Sequence, residues 1–157
     1  MFKKIKPYAI SILISVGVGA LSALITRGNM DLYDEIRTPP LSPPSILFPI
    51  VWTLLYILMG VSAAMIYLNR TSDFKKRTSA LATYASSLIV NFAWSIIFFN
   101  FKAYFLAFVW LLLLLYLIVK TIAQYRGIDK IAAYLQIPYA IWVTFAGYLS
   151  FGIWILN

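Results

Sequence analysis

Charged residues leave five long gaps in this chain, at residues 7–26, 38–69, 78–101, 103–119 and 131–157. A helix that crosses a hydrocarbon core of about 30 Å needs roughly 20 predominantly apolar residues. Four gaps meet that length outright. The remaining one, 103–119, meets it when Lys120 extends its ammonium to the interface and the helix continues toward Tyr125. The chain is 62% hydrophobic and 11% charged, far from the composition of a soluble globule. The expectation is an all-α membrane protein, a bundle of five transmembrane helices in a single domain over 1–157. The helices are placed at about 7–27, 43–69, 78–101, 103–125 and 130–156. The first gap follows Lys3, Lys4 and Lys6, as the core of a signal peptide would. Its apolar stretch exceeds an ordinary signal core of about 7–15 residues and has no clean small-residue cleavage site. It is read as a retained helix.

The formal net charge of +8 raises nucleic acid as a partner. The distribution of charge speaks against it. With five spans, Lys3, Lys4, Lys6, Arg70, Lys75, Lys76, Arg77, Lys120, Arg126 and Lys130 share one side of the membrane. Arg27, Arg37 and Lys102 lie on the other. That positive-inside bias puts the N-terminus in the cytoplasm and the C-terminus outside. The basic residues set orientation first, and contact with anionic membrane lipid is secondary. There is no cysteine and no histidine. Disulfides, thiolate chemistry and zinc sites are therefore excluded, as is His or Cys ligation of haem, and no metal site is expected. No charge lies in the middle of a span, which disfavours proton relays and ion-coupled pumps. No acid–base pair or nucleophile–base dyad is evident, so enzymatic activity is left open rather than expected.

Most connections are short, and "NFKAY" at 100–104 reads as a tight hairpin. The first connection, roughly 28–42, is long and carries Asp31, Asp34 and Glu35, three of the five acids. Such loops are often lids or binding loops. The fourth span is apolar all round and is expected to face lipid. The first carries Gly17, Gly19, Ala20, Ser22 and Ala23, which let another helix approach closely. On the third, Ser87, Asn91, Trp94 and Phe98 share a face. An unpaired amide in hydrocarbon costs several kcal/mol, so Asn91 should face the interior, as helix–helix glue or as a ligand contact. Phe48, Trp52, Tyr56 and Met59 make a stripe on the second helix. Pro138, Trp142, Ala146 and Leu149, with Ser150 alongside, make one on the fifth. Either stripe is packing or a ligand wall. Pro138 is expected to kink its helix, and Trp154 to anchor at the interface.

Five of the seven prolines fall within residues 39–49. Ser42 precedes Pro43 and is biased to extended backbone, as an N-cap requires. Pro43 or Pro44 then suits the first helical position. Pro39 and Pro40 stiffen the approach, and Pro49 bends the first turns. The segment reads as a rigid junction that delivers Trp52 with little conformational freedom.

"PPLSPP" followed by "FPIVWTLLYILMG", then "NFAWSIIFF" and "PYAIWVTFAGYLS", resemble the three signature regions of the tryptophan-rich sensory protein (TspO/MBR) family. Its mammalian members are the mitochondrial translocator proteins. The resemblance covers about residues 32–157, in the right order. It implies a five-helix bundle in the membrane, here the bacterial cell membrane. It also implies a cavity under the first loop and a homodimer. Family members bind protoporphyrin IX, other porphyrins and synthetic aromatic ligands; some bind cholesterol, and light-dependent porphyrin breakdown occurs in bacterial members. By motif position the cavity residues would be Tyr33, Pro43, Trp52, Tyr56, Asn91, Trp94, Trp142, Ala146 and Leu149. Trp52 and Trp142 would be the pair tied to porphyrin degradation. No cofactor is required, and porphyrin enters as ligand.

The chain departs from the family pattern at Leu32, where an aromatic is usual, and at Thr38, where a lysine is usual. Leu41 stands for a tryptophan and Ser150 for an asparagine. These leave the loop less aromatic and less basic. "LYLIVK" at 115–120 fits the loose cholesterol pattern only in part, and cholesterol is not expected as physiological ligand. The leading expectation is a receptor or sensor whose ligand stacks among Trp52, Trp94 and Trp142. The alternatives are a photo-oxidising enzyme and a transporter or facilitator of tetrapyrroles or lipids.

Overall fold

The computed structural model describes residues 2–29 and 32–157, without the side chains of residues 2–4, 29 and 32. The readings placed on Asp31 and on the side chains of Lys3, Lys4 and Leu32 lie outside the described residues. Five helices are long and apolar enough to cross a membrane. They are α1 (Phe2–Thr26), α3 (Leu47–Leu68), α4 (Phe74–Ser95), α5 (Tyr104–Arg126) and α6 (Lys130–Leu156). A single-turn helix, α2 (Leu32–Glu35), sits in the first connection. No strand occurs among the described residues. α4 runs on into a π-helical turn, Ile96–Asn100.

Around the bundle the order is α1, α3, α6, α5, α4, and the ring closes where α4 meets α1. Between neighbours in the ring, packing is most extensive for α5 and α6 and thinnest for α1 and α4. Of the small residues of α1, Gly19 admits a close neighbour as expected, whereas Gly17 has nothing within 4 Å. A methyl group on Gly60 of α3 would lie 2.6 Å from the Ile12 Cα, and one on Gly19 would overlap the Tyr56 ring. The Ser15 hydroxyl donates to the Tyr56 carbonyl at 2.6 Å, closing the α1–α3 seam. Lipid tails give no hydrophobic drive between helices, so close backbone approach and such hydrogen bonds do this work.

Two expectations change. α5 is not wholly lipid-facing: Ala107, Leu111, Leu114, Ile118, Thr121 and Tyr125 form a buried stripe, and Trp110 donates its indole N–H to the Val90 carbonyl at 2.8 Å. An all-apolar sequence has no polar face to reveal which side packs. The proline run also differs. α3 starts at Leu47, with Ile46 rather than Ser42 at the cap. Pro43 and Pro44 stand before the helix, because each proline pushes the residue ahead of it out of helical backbone. The chain turns through Leu47 N–H to Pro44 carbonyl (3.0 Å) before the helix proper. Elsewhere α1 already includes Pro7, and α4 takes in the basic residues 75–77. α6 stays helical through Pro138.

Candidate ligand cavity

A cavity of about 480 Å³ lies between the C-terminal half of α1, the start of α3, the end of α4 with its π turn, and the C-terminal half of α6. Eight of the nine residues singled out from the sequence line it: Tyr33, Trp52, Tyr56, Asn91, Trp94, Trp142, Ala146 and Leu149. Pro43 does not. Its carbonyl instead accepts the Tyr33 hydroxyl at 2.7 Å, so it positions a lining residue. Phe48, Phe98 and Ser150 from the three stripes also line the space, whereas Met59 and Ser87 are buried in the bundle away from it. The wall that the sequence did not reveal is α1, through Val16, Gly19, Ala20, Ser22, Ala23 and Thr26. Their one signal was small size, which equally describes ordinary helix packing.

The aromatic residues form two walls. On α3 and α6, the Trp52 ring lies over Tyr56 (5.6 Å, 29°) and meets Trp142 edge to face (6.4 Å, 88°). Phe48 joins Trp142 to Tyr33, at 5.7 and 4.9 Å. On α4 and its π turn, Trp94 stacks with Phe98 at 5.4 Å and meets Phe99 at 6.3 Å. Because Trp52 and Trp142 are perpendicular, a flat ring parallel to one meets the other edge-on. Simultaneous stacking on all three indoles is therefore not what the geometry offers. Trp154 lies on the outer surface against Phe105 and Phe151.

Polar groups in the cavity are few and mostly committed. Asn91 is buried and donates from Nδ2 to the Tyr56 hydroxyl at 3.1 Å, tying α4 to α3. Thr26 and Thr53 donate back to their own helices. Trp94 Nε1, Trp142 Nε1 and Ser150 Oγ are buried without a partner among the described residues. Among the described residues, Asp34 is the one carboxylate in the lining, and no Lys or Arg lines the cavity. Burial raises the Tyr33 hydroxyl pKa above its ordinary value, an effect the neighbouring Asp34 charge reinforces and the Ser42 hydroxyl opposes.

The proline segment is fastened along one face of α6. Tyr148 donates to the Pro40 carbonyl at 2.6 Å. A methyl group on Gly152 would lie 2.6 Å from the Pro39 ring, which is itself buried. The Asn157 amide grips Arg37 on both sides, accepting its N–H (3.2 Å) and donating to its carbonyl (2.8 Å). Between them Leu41 takes left-handed backbone, φ 69°, and Ser42 donates to the Pro39 carbonyl at 2.6 Å. The prolines thus hold Tyr33 and Phe48 at one edge of the cavity.

Five membrane-length helices around an aromatic-lined cavity define a helical membrane protein with an internal cavity between its spans. The chain belongs to the TspO/MBR family, whose model matches residues 11–155. It is 34% identical over 139 residues to Protein CrtK of Rhodobacter capsulatus, covering 88% of this chain and 85% of that one. It is 33% identical to the tryptophan-rich protein TspO of Chlorobaculum tepidum over 100% of this chain and 99% of the relative. The translocator protein of Bos taurus is 33% identical over 87% of this chain and 81% of its own length.

Proposed function

We propose that the protein is a membrane receptor or sensor that holds a porphyrin-type ligand in this cavity. The observation that carries the reading is the meeting of Trp52, Trp94 and Trp142, from three separate helices, on one cavity whose lining, among the described residues, holds a single charge. Its volume falls within the roughly 300–1,000 Å³ of small-molecule sites, and apolar burial at about 25 cal/mol per Å² supplies most of the affinity. The macrocycle lies against the Trp52 and Trp94 faces with the Trp142 edge beside it. Its carboxylates stay at the mouth, because an unpaired buried carboxylate is costly and no cation lines the interior. The proline segment acts as the lid. The basic end of the bundle faces the cytoplasm and the cavity end faces outward. The homodimer that the resemblance implies uses the small residues Ala82, Ala85 and Ser86, which are exposed on α4.

Titration of protoporphyrin IX into purified protein, followed by tryptophan quenching, tests this directly. We expect saturable quenching and a weaker complex in Trp142→Phe. Non-saturable quenching would refute the reading. The accompanying chemistry we propose is photo-oxidation in which light-excited bound porphyrin sensitises dioxygen, the oxidant, whose two oxygen atoms add to the macrocycle, with Trp52 and Trp142 as the electron-rich side chains beside it. Product formation under light that persists unchanged in the Trp52→Phe, Trp142→Phe double variant would contradict it.

A further inference from the structure

At the opposite end of the bundle from the cavity, the turn between α3 and α4 forms a second, smaller pocket of about 270 Å³. It is lined by Tyr67, Arg70, Phe74, Arg77, Thr78 and Leu81. We propose that this pocket binds one phosphate group, held between the Arg70 and Arg77 guanidinium groups. The phosphate comes from an anionic lipid headgroup or from free phosphate.

Two arginines, Arg70 and Arg77, line one small space, and among the described residues no carboxylate pairs with either. Arg77 is pre-positioned. Its Nη1 donates to the Tyr67 carbonyl at 3.0 Å, and its guanidinium lies 6.0 Å from the Phe74 ring centre. Its Nε is buried and has no acceptor. An arginine fixed through Nη1 holds the rest of its guanidinium edge in one orientation, from which Nη2 can donate to a phosphate oxygen.

The turn beneath is rigid. Asn69 Oδ1 accepts from the Thr71 and Ser72 N–H groups and from the Thr71 hydroxyl. Its Nδ2 donates to the Ile128 carbonyl at 3.2 Å, bracing this turn against the one before α6. Apolar side chains complete the lining. Phe74 is 71% exposed and lines the pocket with Leu81, a surface suited to the glycerol and upper acyl chain of a lipid at the membrane boundary. Lys75 and Lys76 carry the same charge in the same turn but do not line the pocket.

That difference supplies the test. Full-length protein is purified as wild type, R70Q/R77Q and K75Q/K76Q, and retention of phosphatidylglycerol is compared with phosphatidylcholine by native mass spectrometry. The arginine pair is expected to lower phosphatidylglycerol affinity by about tenfold or more. The lysine pair, losing exposed charge alone, should change it by less than about twofold. Equal losses in both variants would reduce the effect to diffuse surface charge and overturn the proposal, as would equal retention of the two lipids by wild type. Should R70Q/R77Q fail to fold, R70K/R77K keeps the charge and removes the fork. Unchanged affinity there overturns the proposal as well. Inorganic phosphate at millimolar concentration separates the sources: displacement of lipid supports free phosphate as occupant, and resistance to displacement supports the headgroup.

Discussion

Asn91 shows how much one side chain in a span can disclose. An amide at membrane depth must be paired, so its inward position was legible from sequence. Its partner was not, because nothing in the linear order selects the Tyr56 hydroxyl over the nearby backbone carbonyls. Asn91→Leu removes the donor to Tyr56, and we expect a loss of about 0.5–2 kcal/mol, read as a lower thermal unfolding midpoint in detergent. The perpendicular setting of Trp52 and Trp142 was equally hidden, since it depends on rotamers chosen by the packed neighbours Tyr56 and Phe48. Leu41 is a different case. It is 86% exposed with a positive φ, so its side chain contributes little burial to offset a strained backbone. Leu41→Gly relieves about 1 kcal/mol of that strain. Its unfolding midpoint should hold or rise, whereas a drop would show that the leucine side chain makes a stabilising contact.

Among the elements, α1 is the one whose role was least legible. Small residues announce close packing but not that the same face walls a cavity, and α1 does both. Gly60→Ala places a methyl group against the Ile12 backbone, which cannot rotate away, and overpacking of this kind costs about 1–3 kcal/mol. The unfolding midpoint and porphyrin affinity should fall together, because separating α1 from α3 opens the cavity wall. Gly147→Ala has open space around it and should change neither. The proline segment was legible as stiff, yet its helix boundary was misplaced by four residues, 43–46, where the chain turns before the helix begins. Its attachment to α6 depends on Tyr148 and Asn157, far away in sequence. Tyr148→Phe with Asn157→Ala should speed ligand dissociation in stopped-flow measurements while leaving global stability nearly unchanged. An unaltered dissociation rate would exclude a lid role for the segment.

On the scale of the whole molecule, the five spans were legible because hydrocarbon demands long uncharged runs, and charge spacing alone exposes them. The closed order of the ring was not, since lipid-facing and partner-facing apolar residues look alike. Orientation is directly testable in a chain without native cysteine. A membrane-impermeant maleimide added to intact cells should label Glu35→Cys and spare Thr71→Cys; the reverse pattern would invert the assignment. The absence of histidine also has a consequence for pH. Affinity for a neutral porphyrin ester should stay flat from about pH 6 to 9, since no ordinary histidine titration intervenes. The Tyr33 pKa lies above its usual value, so the folded state favours the neutral phenol. Its tether to Pro43 is therefore fully present below the unfolded tyrosine's pKa of 10.0 and is lost as pH rises through the higher folded value.

If the protein works as proposed, the aromatic cavity, and no other surface, holds the ligand. A structure of the protein bound to protoporphyrin IX decides this. The macrocycle is expected between the Trp52–Trp142 wall and Trp94, with its carboxylates at the mouth beside the proline segment. A macrocycle seated on the outer face beside Trp154, or at the basic end near Arg70 and Arg77, would contradict it.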